Sequence, residues 1–228
     1  GVPCIIAIGN HDYDNLLEHD RSSSLFNAYF GRPEYIDQPW YGGAYEQGRI
    51  DNVYYKLMAH RCPILVLCLE FGPRDDVMAW ADQVIAEHAD YNVIILTHSY
   101  LHAKGHRTTT DDELHPASYS GARDGNCGQA MWDMSFRKHA NIVAVFSGHH
   151  VPQHVSARAD RADDGHEIVQ FFQNWQLEPY GGEGRYRIAD FYPAEGKLRL
   201  SVYNPMTEQY ETAGGYEVEY AVRLQVVV

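Results

Sequence analysis

The sequence predicts an α/β protein with mixed β-sheets, and two patterns support this fold class. Between residues 51 and 147, short apolar runs alternate with a segment of helical periodicity, as in strand–helix–strand units. Toward the C-terminus, strand-like runs are separated by turn residues, which is typical of antiparallel pairing. The 228 residues suffice to bury a core, and no change in composition marks a boundary. We therefore expect residues 1–228 to form a single domain.

The N-terminal half is predicted to contain three strands and two helices. The strands are 2–8, 51–57 and 63–69, and the first helix is short, around 24–30. The second helix follows Pro73, which is tolerated in a first helical turn, where acidic residues are also favourable. Its apolar residues recur at the spacing of one helix face. They are Val77, Trp80, Ala81, Val84, Ile85 and, at the end, His88.

The C-terminal half is predicted to contain further strands and one more helix. Buried strands are expected at 93–96 and 142–146, with a helix at 128–139 and a long polar loop at 102–126. Two later strands, 186–192 and 198–203, are joined by a hairpin signal, Pro193-Ala194-Glu195-Gly196. Apolar residues alternate with polar ones from 216 to 228, which predicts a half-buried strand.

Composition excludes several classes of function. Acidic residues outnumber basic ones 31 to 18, and the net charge of −13 argues against nucleic-acid binding. The four cysteines form no C-x-x-C pair, and no apolar run is long enough for a membrane span. There is no signal peptide, so localisation stays open. The sequence opens inside an apolar segment, and we therefore expect it to be a piece of a longer chain.

Polar residues that can bind metal follow three of the predicted buried strands directly. Asn10 comes after strand 2–8, His98 after the strand at 93–96, and His149 after the strand at 142–146. Because ligand sites in open α/β sheets lie beyond the carboxyl ends of the strands, we expect these side chains to converge. An amide oxygen and imidazole nitrogens suit Zn, Mn or Fe. The glycines before Asn10 and His149 are expected to allow a positive φ in sharp turns.

These motifs, in this order, resemble those of the calcineurin-like metallophosphoesterases. The matching segments are Gly9-Asn10-His11-Asp12, Thr97-His98 and Gly148-His149. The family pattern runs D-x-H, G-D-x-x-D, G-N-H-[DE], a lone His and G-H-x-H. The resemblance implies an α/β sandwich of two mixed sheets flanked by helices. It also implies a hydrolase that cleaves phosphate mono- or diesters with metal-activated water.

The same resemblance implies a role for each matching residue. Asn10, His98 and His149 would be metal ligands. His11 would be the catalytic histidine that stabilises the transition state or protonates the leaving group, and Asp12 would orient its ring. The substrate would be a small phosphoester, and the complete domain would hold two divalent ions.

The sequence also departs from the family pattern. No D-x-H or G-D-x-x-D precedes Gly9, and Val151 stands where G-H-x-H has its second histidine. The first-metal ligands are therefore missing, and we expect at most one ion in this chain unless His150 or His154 replaces that histidine. The N-terminal strands of the sheet would be missing too, so a partner segment is expected to cover the edge of strand 2–8.

Less specific interpretations stay open beside this one. Asn10 alone could be a turn residue, and His98 alone a hydrogen-bonded histidine at a strand end. The chain could also be a degenerate member of the family that binds a ligand without turnover. Three histidines of the polar loop are expected to be solvent-exposed or at the substrate rim: His102, His106 and His115. Four residues next to the motifs are candidates to line a pocket: Tyr13, Asp14, Tyr100 and Trp175.

Overall fold

The computed structural model describes residues 2–15, 20–152 and 154–227, and its largest element is a seven-stranded mixed sheet. This sheet has the strand order β1-β2-β3-β4-β5-β7-β6, and β3, β4, β5 and β7 are parallel. Its strands are β1 (Tyr41–Ala44), β2 (Val53–Ala59), β3 (Cys62–Leu69), β4 (Asn92–Thr97), β5 (Ile142–Ser147), β6 (Val155–Arg161) and β7 (Glu167–Gln173).

A second sheet of four strands is built around one long strand. All of its pairs are antiparallel, with β8 running along the whole of the central strand and the two short strands pairing with its ends. The strands are β8 (Tyr186–Tyr192), the central β9 (Lys197–Asn204), β10 (Gln209–Glu211) and β11 (Val218–Ala221). The prediction of mixed α/β structure is thus confirmed.

Helices pack on both faces of the large sheet. The helices are α1 (Ser24–Phe30), α2 (Pro33–Ile36), α3 (Asp75–Glu87) and α4 (Gly128–Met134). The apolar face of α3 packs with Leu65, Leu67 and Leu69 of β3, together with Met131 and Trp132 of α4. The alternate side chains of the sheet point to the other face, because successive residues of a strand face opposite sides.

Two apolar clusters cover that other face. Beneath β5 and β7, the second sheet packs through Leu198 and Leu200 against Ala144 and Phe171. Beneath β2 and β3, residues 5–8 and helix α1 form a separate apolar cluster. None of the helices in the described ranges has the length and apolar character that crossing a bilayer requires.

The predicted strand at residues 2–8 is wrong. In the described part of the chain this segment pairs with no strand, and the edges of the large sheet are β1 and β6 instead. The segment is nevertheless anchored, because Ile8 is fully buried in the cluster with Tyr55 and Cys68. An apolar run indicates burial but does not by itself distinguish a strand from a packed extended segment. The partner segment expected at this edge therefore has no strand to cover among the described residues.

Other predicted elements were correct in kind but not always in extent. The helix at 128–139 ends at Met134, where Ser135 leaves helical geometry, and a short 3-10 turn, Phe136–Lys138, follows. The strand predicted at 216–228 is limited to β11, because the backbone N–H groups of Gln225 and Val227 donate hydrogen bonds to residues outside the second sheet. Gln225 N–H donates to the side-chain oxygen of Asn92 at 2.7 Å, and Val227 N–H donates to Arg61 O at 2.8 Å.

The packing of residues 5–8 can be tested by mutation. Ile8→Ala is expected to lower the free energy of unfolding by about 2–5 kcal/mol, because the side chain is fully buried. Val2→Ala is the matched control, since Val2 is 91% exposed and should change stability by less than about 0.5 kcal/mol. Urea unfolding measures both. Equal, negligible effects of the two substitutions would show that the segment is not docked on the sheet.

Candidate metal centre at the strand ends

The three predicted metal ligands lie together at the carboxyl edge of the large sheet. The amide oxygen of Asn10 accepts a hydrogen bond of 2.9 Å from Nε2 of His98. The ring centroids of His98 and His149 are 5.0 Å apart. All three line one cavity of about 280 Å³, together with His11 and Asp12. The parallel strands β4 and β5 thus bring together side chains that are distant in sequence.

Hydrogen bonds between the strand ends hold the two histidines side by side. Gly148 N–H donates to His98 O at 2.9 Å, which continues the β4–β5 pairing beyond the strands. After β7, the Asn174 amide donates to His149 O at 3.2 Å and to His150 O at 3.1 Å. Asn174 was not singled out in the sequence, although its position directly after an apolar strand was a usable signal.

The backbone at His149 is in the left-handed region, with φ of +77°. A non-glycine residue rarely adopts this conformation, and it persists only where surrounding contacts enforce it. Here Nε2 of His149 donates to Leu114 O at 2.9 Å, and the ring contacts Phe71 with a centroid distance of 4.9 Å. This hydrogen bond leaves Nδ1 of His149 with its lone pair available to a metal ion.

The expectation that Gly9 and Gly148 have positive φ is wrong. Both have ordinary φ values, and the need for glycine is one of space. A Cβ atom at Gly9 would lie 3.1 Å from Cε1 of His98, and one at Gly148 would lie 3.0 Å from Gln173 O. The backbone before Asn10 therefore approaches the His98 ring closely, and this approach allows the amide to reach His98.

An apolar floor beneath the site keeps the imidazoles neutral. Phe71, which follows β3, contacts the rings of His98, His149 and Tyr119. Burial, with the neighbouring rings of His149 and His11, lowers the pKa of His98 to about 3. Burial also lowers the pKa of His149. At neutral pH both side chains are neutral imidazoles, the form that binds metal.

The two predicted catalytic residues line the same cavity but differ in their contacts. His11 is exposed at the mouth of the cavity. Asp12 accepts the Gly9 N–H at 2.7 Å through Oδ2, and within the described residues it makes no hydrogen bond to His11. The carboxylate therefore fixes the turn that presents His11, while the ring-orienting role expected for it is not seen in this geometry.

Neither residue proposed to replace the second histidine of G-H-x-H joins the three ligands. His154 bonds to Tyr216 at 2.8 Å and to Glu178 at 2.7 Å, away from the cavity. His150 is 2% exposed and sits with Nε2 at 3.3 Å from the Ser99 hydroxyl. Val151 does line the cavity, where the motif would have supplied a ligand.

The four candidate pocket residues lie elsewhere. Tyr13 and Tyr100 are core residues, Asp14 bonds to the start of α1 through Ser24 N–H, and Trp175 donates to Tyr216. The walls of the cavity are formed instead by three residues with no motif signal and by Val151. The three are Leu114, Tyr119 and Gln176.

A second group of possible metal ligands lies nearby, in the loop expected to be merely polar. His102, His106 and Asp112 have ligand atoms within 4.8 Å of one another. His102 and His106, which were expected to be solvent-exposed or at the substrate rim, are thus part of a cluster that could hold an ion. The H-x-x-x-H spacing in the sequence was a signal for it.

Comparison with known proteins gives a distant relative and no family. The chain is 25% identical over 236 residues to an uncharacterized protein of Bacillus subtilis (strain 168), YvnB. The match covers 99% of this chain and 16% of the relative. No family model matches the sequence.

Acid sensitivity of the metal-free protein tests the burial of His98. The unfolded chain takes up a proton on this histidine near its ordinary pKa of 6.5, whereas the folded protein takes it up only near 3. Stability attributable to His98 is therefore complete above about pH 6.5 and is lost as the pH falls toward about 3, at up to about 1.4 kcal/mol per pH unit.

We expect His98→Gln to reduce this pH dependence in urea unfolding measured in the presence of a chelator. His60→Gln, at an exposed position, serves as the control and should leave the dependence unchanged. An identical loss of stability on acidification in the wild type and His98→Gln would argue against a buried neutral His98.

Proposed function

We propose that this chain is part of a metal-dependent phosphoesterase resembling the calcineurin-like metallophosphoesterases, with Asn10, His98 and His149 holding a divalent ion. The observation that carries the proposal is the convergence of these side chains, from separate segments, on one cavity at the strand ends. The two packed sheets with helices on the outer face are compatible with the sandwich that this resemblance implies.

The donor atoms fit a divalent transition-metal ion. Two neutral imidazoles and an amide oxygen are borderline ligands suited to Zn, Mn or Fe. Leu114 O orients the His149 ring in the way that outer hydrogen bonds orient metal ligands. When bound, such an ion would neutralise phosphate charge and lower the pKa of a water molecule. With no anionic ligand among the three, binding in this chain alone should be weak.

His11 is suited to act on the substrate. It lines the cavity and is exposed, so a phosphate ester that enters the cavity would contact its ring. A histidine there can stabilise the charge that develops on phosphate or donate a proton to the leaving oxygen. Asp12 contributes through the backbone, since its bond to Gly9 N–H holds the turn on which His11 sits. The size of the cavity, about 280 Å³, favours a small phosphomonoester or phosphodiester.

A ligand-binding module without turnover is the second candidate. Val151 favours it, because this apolar side chain lines the cavity where the family pattern has a first-metal histidine. Binding of a phosphate ester without hydrolysis would then be the whole function. The exposed His11 favours the enzyme, since no packing contact in the described structure explains a histidine at this position.

Metal binding separates the roles of the cavity residues. We expect Mn²⁺ affinity to fall by about 10–100-fold or more in Asn10→Ala and His149→Ala, because each removes a ligand. His11→Ala should retain the affinity, since this residue is not proposed as a ligand. Titration calorimetry measures all three. Unchanged affinity in both ligand variants would contradict the proposed centre.

Hydrolysis tests the catalytic part of the proposal. The chain alone is expected to be nearly inactive toward an aryl phosphate ester, because the two-ion route lacks its first-metal ligands. A longer form of the protein that supplied those ligands should be active, and His11→Ala should reduce its rate by about 10²–10⁴-fold with metal retained. The exposed His60→Ala is the control. An extended protein that binds phosphate esters but never hydrolyses them would favour the binding module.

A further inference from the structure

We propose that the turn from His102 to His106, together with Asp112, binds a divalent transition-metal ion, with Zn²⁺ the best match to the ligands. Their donor atoms lie within 4.8 Å of one another, close enough for one ion to contact all three. None of these residues belongs to the Asn10/His98/His149 centre, so the site is additional to the one on which the proposed function rests.

The local backbone brings the two histidines together. Leu101 and Arg107 form an isolated antiparallel bridge, and His102 N–H donates to His106 O at 2.7 Å. This closes a tight turn in which both rings project to the same side and stack, with centroids 4.6 Å apart and an interplanar angle of 17°. The Ser156 hydroxyl, from β6, donates to His102 O at 2.9 Å and ties the turn to the large sheet.

Asp112 is held in position to complete the site. Its Oδ2 accepts the Thr109 N–H at 2.8 Å, and its Oδ1 lies 2.8 Å from Nε2 of His106. One oxygen is thus fixed by the backbone while the other faces the imidazole, an arrangement in which outer hydrogen bonds orient a metal-ligating carboxylate. An ion would displace the hydrogen bond between His106 and Asp112, and its charge would offset that loss.

The ligand set and its surroundings fit Zn²⁺. Two imidazoles and a carboxylate form one of the common three-ligand sets for zinc, with a fourth position left for water or another ligand. His102 and Asp112 line a cavity of about 470 Å³, whose wall also includes Lys104, Asp111 and Glu113.

The two centres are neighbours joined by one buried side chain. The ring of His150 is 4.7 Å from that of His102 and 4.8 Å from that of His149. Because the centres share no ligand, each should bind its ion when the other is disabled. This independence distinguishes a separate site from a shifted version of the first one.

Zinc binding to the full chain tests the inference. In the Asn10→Ala/His149→Ala background, one Zn²⁺ should still bind, and both Asp112→Asn and His106→Gln should weaken it by about 100-fold or more. Asp111→Asn is the matched control, because it makes the same change in charge at an exposed neighbouring carboxylate with no described partner for its side chain. Competition with a chelator of known affinity gives the constants, and circular dichroism confirms that each variant is folded.

Co²⁺ provides an independent readout, since low-coordinate Co²⁺ with imidazole ligands absorbs in the visible range. The absorption should appear in the Asn10→Ala/His149→Ala protein. It should vanish when Asp112→Asn is added to that protein. Three results would overturn the proposal: no Zn²⁺ bound in that background, the same affinity in Asp112→Asn as in its parent, or an equal loss in Asp111→Asn. Any of them would leave His106 and Asp112 as a hydrogen-bonded pair alone.

Discussion

The parallel pairing of β4 with β5, and of β5 with β7, is the constraint on which the cluster of Asn10, His98 and His149 depends. Parallel strands end at the same edge of a sheet, so the residues that follow them must share a small volume. Here the pairing extends past the strands through the bond from Gly148 N–H to His98 O, and Asn174 holds the backbone after His149. Without this alignment, histidines some fifty residues apart in the sequence would not touch.

Burial decides the chemical state of the histidines at this edge. Phe71 and Tyr119 form an apolar floor, and desolvation disfavours the charged imidazolium. The pKa of His98 and that of His150 both fall to about 3, with burial the main cause for each. The cluster is therefore a set of neutral donors at neutral pH. A bound cation would stabilise these donor groups, because they are polar groups in a poorly solvated environment.

The loop between β4 and α4 connects the two clusters physically. Its residue Leu114 accepts the hydrogen bond that orients His149, and its residue Asp112 completes the triad with His102 and His106. His150 contacts a ring of each cluster from the side of β5. The loop therefore contributes contacts to both clusters.

The sequence by itself determined the elements whose periodicity is local. Helix α3, strands β2 to β5 and the β8–β9 hairpin follow from apolar spacing and turn residues, and the grouping of Asn10, His98 and His149 follows from the motifs. Only the tertiary structure decided the rest. Residues 5–8 pack beneath the sheet instead of pairing within it, and β6 carries a pattern too mixed to be predicted. The triad required a turn closed by backbone hydrogen bonds and a carboxylate held by Thr109, and these contacts depend on distances that spacing along the chain does not encode.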